Sequence, residues 1–136
     1  MVMEILIKSH KHYGTLLLAL ILAVIVVTLI KGPKPVFQRI VAVLVDINLL
    51  VGLSVAWNSH KSFSLLHPLL ALGAVGLLHA SAKSDNAAKV IRCFSIALVL
   101  LITAWAVHAN WGPDFLKNVW MVNFPGQSAP VAPVAQ

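Results

Sequence analysis

Residues 13–30 read YGTLLLALILAVIVVTLI, a run of eighteen residues without a charged side chain. A helix needs about 20 apolar residues to cross a hydrocarbon layer of about 30 Å. Three further stretches have comparable length and composition, at residues 37–57, 62–82 and 93–113. Helices are expected because a bilayer requires every backbone polar group to be hydrogen-bonded internally, and because these runs lack the alternation of barrel strands. The sequence therefore predicts an all-α integral membrane protein that crosses the bilayer four times.

The composition of the whole chain supports a lipid environment. Of 136 residues, 60% are hydrophobic and only 10% are charged, and the mean hydropathy is +0.91. Soluble domains carry about 25% charged residues, so this chain has too few to cover a water-facing surface. The net charge of +6 does not indicate nucleic-acid binding, because the basic residues stand singly between apolar runs. The predicted partner is the lipid bilayer, with no nucleic acid.

The predicted spans are joined by short connections at residues 31–36, 58–61 and 83–92. Short links make consecutive helices antiparallel, so residues 13–113 are expected to form an antiparallel up-down four-helix transmembrane bundle. Residues 1–12 are expected to be an N-terminal tail that is not cleaved, because their apolar stretch precedes their lysines.

The C-terminal segment, residues 114–136, has a different composition. Between Asp114 and Phe124, the side chains of Phe115, Val119 and Trp120 share one helical side, which predicts a short interfacial helix. The Pro/Ala-rich residues that follow are expected to form a mobile tail.

Basic residues give an expectation for orientation. The connections after the first and third spans carry six of them: Lys31, Lys34, Arg39, Lys83, Lys89 and Arg92. The side that holds both termini carries four: Lys8, Lys11, Lys61 and Lys117. Since cytoplasmic loops are enriched in Lys and Arg, both termini are predicted to lie on the outer side of a prokaryotic inner membrane.

Ionisable residues inside spans are functional candidates, and His67 is the first of them. It precedes Pro68, which places it at a helix start or a kink. Ala71, Ala74 and Leu78 lie below it on nearly the same helical face. The two alanines would leave a groove for a flat macrocycle, and neutral imidazole is the commonest haem-iron ligand. In the alternative interpretation the alanines only pack and His67 hydrogen-bonds a loop.

A second haem ligand would have to come from another helix at similar depth, and His12 and His108 both qualify. The pair His10 and His12 could instead bind copper or zinc. His12 and His67, as candidate haem ligands, are also the candidate metal ligands. His10 and His60 by themselves are interpreted as ordinary histidines at helix ends.

Asp46 lies near the middle of the second span, where a carboxylate needs a partner. His79 can supply one if the second and third spans adjoin, and such a pair could carry protons or hold a quinone. A purely structural clamp between helices is the alternative. His67 and His79 are twelve residues apart, about 120° around a helix, whereas cytochrome b-type proteins use spacings of thirteen or fourteen. One haem is therefore expected rather than two.

The order His12-Tyr13, then DINLLVGL at residues 46–53, then His67-Pro68 and a later His79 resembles a set of small uncharacterised prokaryotic four-helix membrane proteins described as cytochrome b-like. The resemblance covers about residues 12–82, and it implies that these histidines and Asp46 are the positions to test. No nucleophile elbow, phosphate loop or metalloprotease signature is present in the sequence. A non-catalytic subunit is therefore favoured over an enzyme.

These observations lead to one functional expectation with two alternatives. The first is a small membrane subunit of an electron-transfer complex that binds one haem b and exchanges electrons between a quinol pool and a partner. The second is a cofactor-free accessory subunit of a larger respiratory or photosynthetic membrane complex. The third is a metal-handling protein that uses His10 and His12.

Overall fold

The computed structural model describes residues 2–59, 63–108 and 121–122, and within them the protein is all-helical apart from two very short strands. The four helices are α1 (Val2–Lys31), α2 (Pro35–Ser59), α3 (Leu66–Ser81) and α4 (Ala87–His108). The strands are β1 (Phe63–Ser64) and β2 (Met121–Val122), which pair antiparallel with Phe63 opposite Val122.

Three of the helices are long and apolar enough to cross a membrane, as the sequence predicted for them. The qualifying segments are Glu4–Lys31, Pro35–Asn58 and Ala87–Val107. The fourth helix, α3, is equally apolar but has 16 residues, which correspond to about 24 Å. It is shorter than the predicted span at residues 62–82 because β1 occupies the start of that range.

The turn between α1 and α2 follows from its glycine and prolines. Gly32 has a φ of 77°, a left-handed conformation that suits the residue after a helix, and its N–H donates to the carbonyl of Thr28 at 3.1 Å. Pro33 cannot continue the helix. Pro35 then begins α2, at a position where its missing N–H has no intrahelical partner to lose.

Side-chain capping begins α4. The Oδ1 atom of Asn86 accepts a hydrogen bond from the N–H of Lys89 at 3.1 Å, which is the usual geometry of a helix N-cap. The preceding turn is closed by the Ser84 N–H, which donates to the carbonyl of Ser81 at 2.9 Å.

The helices contact one another in a ring: α1 packs on α2 and α4, and α3 packs on α2 and α4. The buried hydrophobic side chains are concentrated in the half of the bundle near the α1–α2 and α3–α4 connections, which we call the lysine-rich half. Its fully buried members include Ile21, Val24, Val41, Leu78, Val90 and Phe94. The opposite half contains the start of α1, the end of α2, the start of α3 and the end of α4, and we call it the terminus half.

Two segments differ from the expectation at their ends. The helix α1 begins at Val2, so residues 2–12 are helical; apolar Val2 and Ile5 and the 2.8 Å pair between Glu4 and Lys8 suit a helix. At the other end, Met121 and Val122 are extended, although they lie within the range expected for an interfacial helix. The remainder of residues 109–136 lies outside the described residues.

Large hydrophobic side chains are exposed on all four helices. Leu29, Leu50, Leu72 and Val99 are examples, one from each helix in chain order. A monomeric soluble protein rarely exposes contiguous apolar surface of this extent. The outer surface of the bundle is therefore suited to contact with lipid.

Candidate functional site

Two histidines from different helices meet in the terminus half of the bundle. The rings of His10, on α1, and His67, at the start of α3, have centroids 6.3 Å apart and planes inclined at 71°. Both residues are half-buried. The pair therefore joins two helices that are separated in sequence by the whole of α2.

The orientation of His67 is set by α4. Its Nδ1–H donates a hydrogen bond of 2.8 Å to the carbonyl of Ala104. A carbonyl can only accept, so the proton lies on Nδ1 and Nε2 is the nitrogen with the lone pair. Histidines that bind metals are commonly oriented by the same kind of bond. Pro68 follows in the first turn of α3, which begins at Leu66, so of the two predicted possibilities His67 lies at a helix start.

The position of His10 depends on a glycine in α2. A Cβ atom at Gly52 would lie 2.6 Å from Cε1 of His10, so only glycine lets the ring lie this close to the α2 backbone. Asn48 is the polar neighbour of the His10 ring. The Nδ1 atom of His10 is buried without a hydrogen-bond partner among the described residues, and a polar atom of this kind needs an explanation.

The candidate second ligand His12 is placed differently from His10. His12 is exposed and donates from Nδ1 to the carbonyl of Lys8 in its own helix at 2.8 Å. Residues two apart on a helix point about 200° apart, so His10 and His12 cannot both face His67. His108 is the last residue of α4, and its side chain, like all of His60, lies outside the described part.

The face of α3 below His67 is closed by packing. Ala71, Ala74 and Leu78 are buried, and Ala74 and Leu78 belong to the core that also contains Phe94 and Ala97 of α4. The small side chains that suggested a groove instead let the neighbouring helices approach closely. A flat macrocycle therefore has no room on this face below Ala71.

Within the described residues, no group of three or more His, Cys, Asp and Glu side chains could hold a metal ion. Among these described residues, His10 and His67 together supply two candidate ligands.

A second polar pair joins α2 to α3. The Nε2–H of His79 donates to Oδ2 of Asp46 at 2.8 Å. The structure thus brings together the two residues for which the sequence suggested a contact. The pair is not enclosed: the His79 side chain is 49% exposed and that of Asp46 is 33% exposed. It lies on the outer surface of the bundle.

Sequence reasoning missed two polar contributions. Gln38 and Ser81 are completely buried, and the Gln38 amide bridges α2 and α3 by donating to the Ser81 carbonyl and accepting from the Lys34 N–H, each at 3.0 Å. Gly52 was also missed as the residue that admits His10. A glycine near an intramembrane asparagine was a usable signal for close backbone approach.

No protein-family model matches this chain, and no curated protein or solved structure is significantly similar to it. The class that the fold and the site define is a small helical membrane protein with one inward histidine pair and one outward histidine–aspartate pair.

Proposed function

We propose that this protein is a small membrane subunit of an electron-transfer complex that binds one b-type haem between His10 and His67. The observation that carries the proposal is the meeting of two half-buried imidazoles from α1 and α3 with 6.3 Å between their centroids. His10 replaces His12 and His108 as the partner of His67 in this proposal.

The spacing suits two axial ligands. Metal–imidazole bonds are about 2.0–2.1 Å long, and two such bonds on opposite sides of one ion place the ring centroids roughly 6 Å apart. Edge-to-face ring pairs that only pack together also have centroids about 4.5–7 Å apart, so the separation fits both packing and a shared ion. The distance between the His10 and His67 rings is therefore compatible with a shared metal centre.

The hydrogen bonding supports the same assignment. The bond from His67 to the Ala104 carbonyl fixes the tautomer and the orientation of the ring. The buried Nδ1 of His10 has no hydrogen-bond partner among the described residues. A bound haem would supply one-electron chemistry at this position, and burial by the surrounding helices would tune its potential. The macrocycle would have to lie on the terminus side of Ala71.

The proposal includes a topology. In it, α3 is a fourth crossing, extended by the segments that flank it, and the helices form an up-down bundle. The excess of basic residues in the lysine-rich half supports an inner-membrane location with both termini on the outer side. Residues 114–120 would form the interfacial helix. Electrons would pass between a quinol pool and a larger partner, in keeping with the resemblance to cytochrome b-like proteins.

A cofactor-free accessory subunit of a larger membrane complex is the second candidate. Its supporting observation is the closed face at Ala71, Ala74 and Leu78, where α3 has no room for a ligand. The exposed apolar surface on every helix would then serve for packing against the partner.

The test is the absorption spectrum of the full chain purified in detergent after expression with excess haem. A Soret band is expected, with loss of the band in both His67→Ala and His10→Ala. The matched control is His12→Ala, which removes an exposed imidazole two residues away and should keep the band.

Absence of the band, with none restored on adding haem, would refute the haem proposal and favour the accessory role. A band that survives His10→Ala but is lost in His12→Ala or His108→Ala would return the second ligand to those positions. Copper or zinc bound in proportion to protein, and released by His12→Ala, would favour a metal-handling role.

A further inference from the structure

The pair formed by Asp46 and His79 is the strongest unassigned feature of the molecule. It lies near the middle of α2 and in the last turn of α3, and about half of the His79 side chain and a third of the Asp46 side chain are exposed. Around the pair the surface is apolar, with exposed Val43 and Ile47 on α2 and exposed Leu72 on α3.

Ionisable groups that face hydrocarbon are costly and are rarely placed there without a role. The hydrogen bond at 2.8 Å satisfies one atom of each side chain. The Oδ1 atom of Asp46 and the Nδ1 atom of His79 have no hydrogen-bond partner within the described ranges 2–59 and 63–108. Two unused polar atoms thus stay directed at the surroundings of the bundle.

The backbone of α3 is open beside the pair. Gly76 is one turn before His79 on the outer side of α3, and a Cβ atom built on it would have no heavy atom within 4 Å. The lack of a side chain there leaves the helix backbone exposed to the bilayer. A planar ring can approach this stretch of backbone from the bilayer, next to the polar pair.

The polar atoms select the chemistry of that ring. When His79 donates from Nε2, both Nδ1 of His79 and Oδ1 of Asp46 are acceptors, and acceptors require a ligand with hydrogen-bond donors such as hydroxyl groups. A ligand that reaches this depth must also be soluble in hydrocarbon. A hydroquinone with an apolar tail meets both requirements, whereas an anionic phospholipid headgroup would be repelled by the carboxylate.

We propose that Asp46, His79 and the exposed backbone at Gly76 form a binding site for the hydroxyl-bearing ring of a membrane quinol, entered laterally from the bilayer. This inference identifies where the quinol of the proposed function would bind. It rests on that function only for where the electrons of the quinol go. Along α3 the site lies about 18 Å from His67, so binding of the quinol and ligation by His10 and His67 are separable properties.

The experiment places the full chain in phosphatidylcholine nanodiscs and adds a decyl-tailed benzoquinol kept reduced under nitrogen. The quinol retained by protein-containing discs in excess of empty discs is measured against concentration. Saturation near one quinol per protein is expected, and Asp46→Asn and His79→Phe should each weaken binding at least tenfold.

Two further variants guard against misfolding and non-specific effects. Gly76→Leu covers the exposed backbone with a side chain whose Cβ atom would meet no heavy atom within 4 Å, and is also expected to weaken binding at least tenfold. His12→Phe makes the same substitution as His79→Phe at an exposed histidine and should leave binding unchanged. Equal binding by the wild type, Asp46→Asn and Gly76→Leu would overturn the inference, as would retention of lipid phosphate in place of quinol.

The result of the quinol-binding experiment is distinguishable from the result of the haem experiment. His67→Ala should abolish the Soret band and leave quinol binding intact. Quinol binding in a protein that never shows a Soret band would support this site and refute the haem proposal. A Soret band without saturable quinol binding would support the haem proposal and refute this site.

Discussion

The lysine-rich half and the terminus half of the bundle hold the same four helices together by different means. In the lysine-rich half, large apolar side chains such as Phe94, Ile21 and Leu78 fill the interior completely. In the terminus half, the space between helices contains the imidazoles of His10 and His67 and the amide of Asn48, admitted by Gly52. One half is packed, and the other is arranged around polar groups.

This difference indicates that stability and ligand binding depend on different halves of the bundle. In a bilayer, apolar packing between helices is stabilised by dispersion and close fit. The hydrophobic effect contributes little there, because lipid tails are as apolar as leucine. Polar groups in the same environment are costly unless they are paired or used. We therefore expect substitutions in the lysine-rich half to change the free energy of unfolding, and substitutions in the terminus half to change binding. The following variants test that division.

The largest loss of stability is expected for Phe94→Ala, in the centre of the packed half. Removing a completely buried phenyl ring leaves a cavity, and such changes cost about 3–5 kcal/mol. The measurement is the free energy of unfolding in mixed detergent micelles, followed by far-ultraviolet circular dichroism. Leu72→Ala is the control, because Leu72 faces outward and lipid can fill the space. Similar losses in the two variants would contradict the assignment of Phe94 to the core.

An intermediate effect on stability is expected for Gly52→Ala, at the polar site of the terminus half. The added methyl group would lie 2.6 Å from His10 Cε1, so the ring must move. Overpacking costs about 1–3 kcal/mol, partly offset by the better helix propensity of alanine, worth about 1 kcal/mol. Stability should therefore fall by about 1 kcal/mol, while the ring of His10 separates from that of His67.

Nuclear magnetic resonance of the histidine ring protons, together with the unfolding free energy, checks this prediction. Gly76→Ala is the matched control, since its new methyl group would meet no atom within 4 Å. It should leave both histidine rings unchanged. An unaltered contact between the two rings in Gly52→Ala would show that His10 does not depend on the α2 backbone.

The smallest effect is expected for Gln38→Ala, which removes the amide bridge between α2 and α3 in the lysine-rich half. Interhelical hydrogen bonds in membrane proteins contribute about 0.6 kcal/mol on average, and at most about 2 kcal/mol. We expect a loss of about 0.6 kcal/mol, because the bond between the helices is removed while the Ser81 carbonyl keeps the Ser84 N–H as a donor.

Asn58→Ala is the control for the Gln38 variant in the same unfolding measurement. The Asn58 amide is exposed and, among the described residues, donates to the Ser54 carbonyl of its own helix at 2.8 Å. Its removal should change the unfolding free energy by no more than a few tenths of a kcal/mol. A loss as large as that of Gln38→Ala would show that the bridge between helices stabilises the protein no more than a hydrogen bond within one helix.

The sequence was sufficient to predict the helices but not which side chains would meet. Apolar runs of about 20 residues identify spans because the thickness of the bilayer imposes the length, and Gly32, Pro33 and Pro35 identify a helix end and a helix start. The choice between His10 and His12 could not be made in this way. It depends on the rotation of α1 about its own axis, which Gly52 and Asn48 on another helix determine.

The sequence by itself determined that this chain is helical and apolar enough to lie in a membrane, because charge content and run length are properties of single segments. Only the tertiary structure decided that His10 faces His67, that the Asp46–His79 pair lies on the outer surface, and that the face at Ala71 and Ala74 is closed. Those features depend on the relative rotation and depth of neighbouring helices, which are set by packing between residues far apart in the chain.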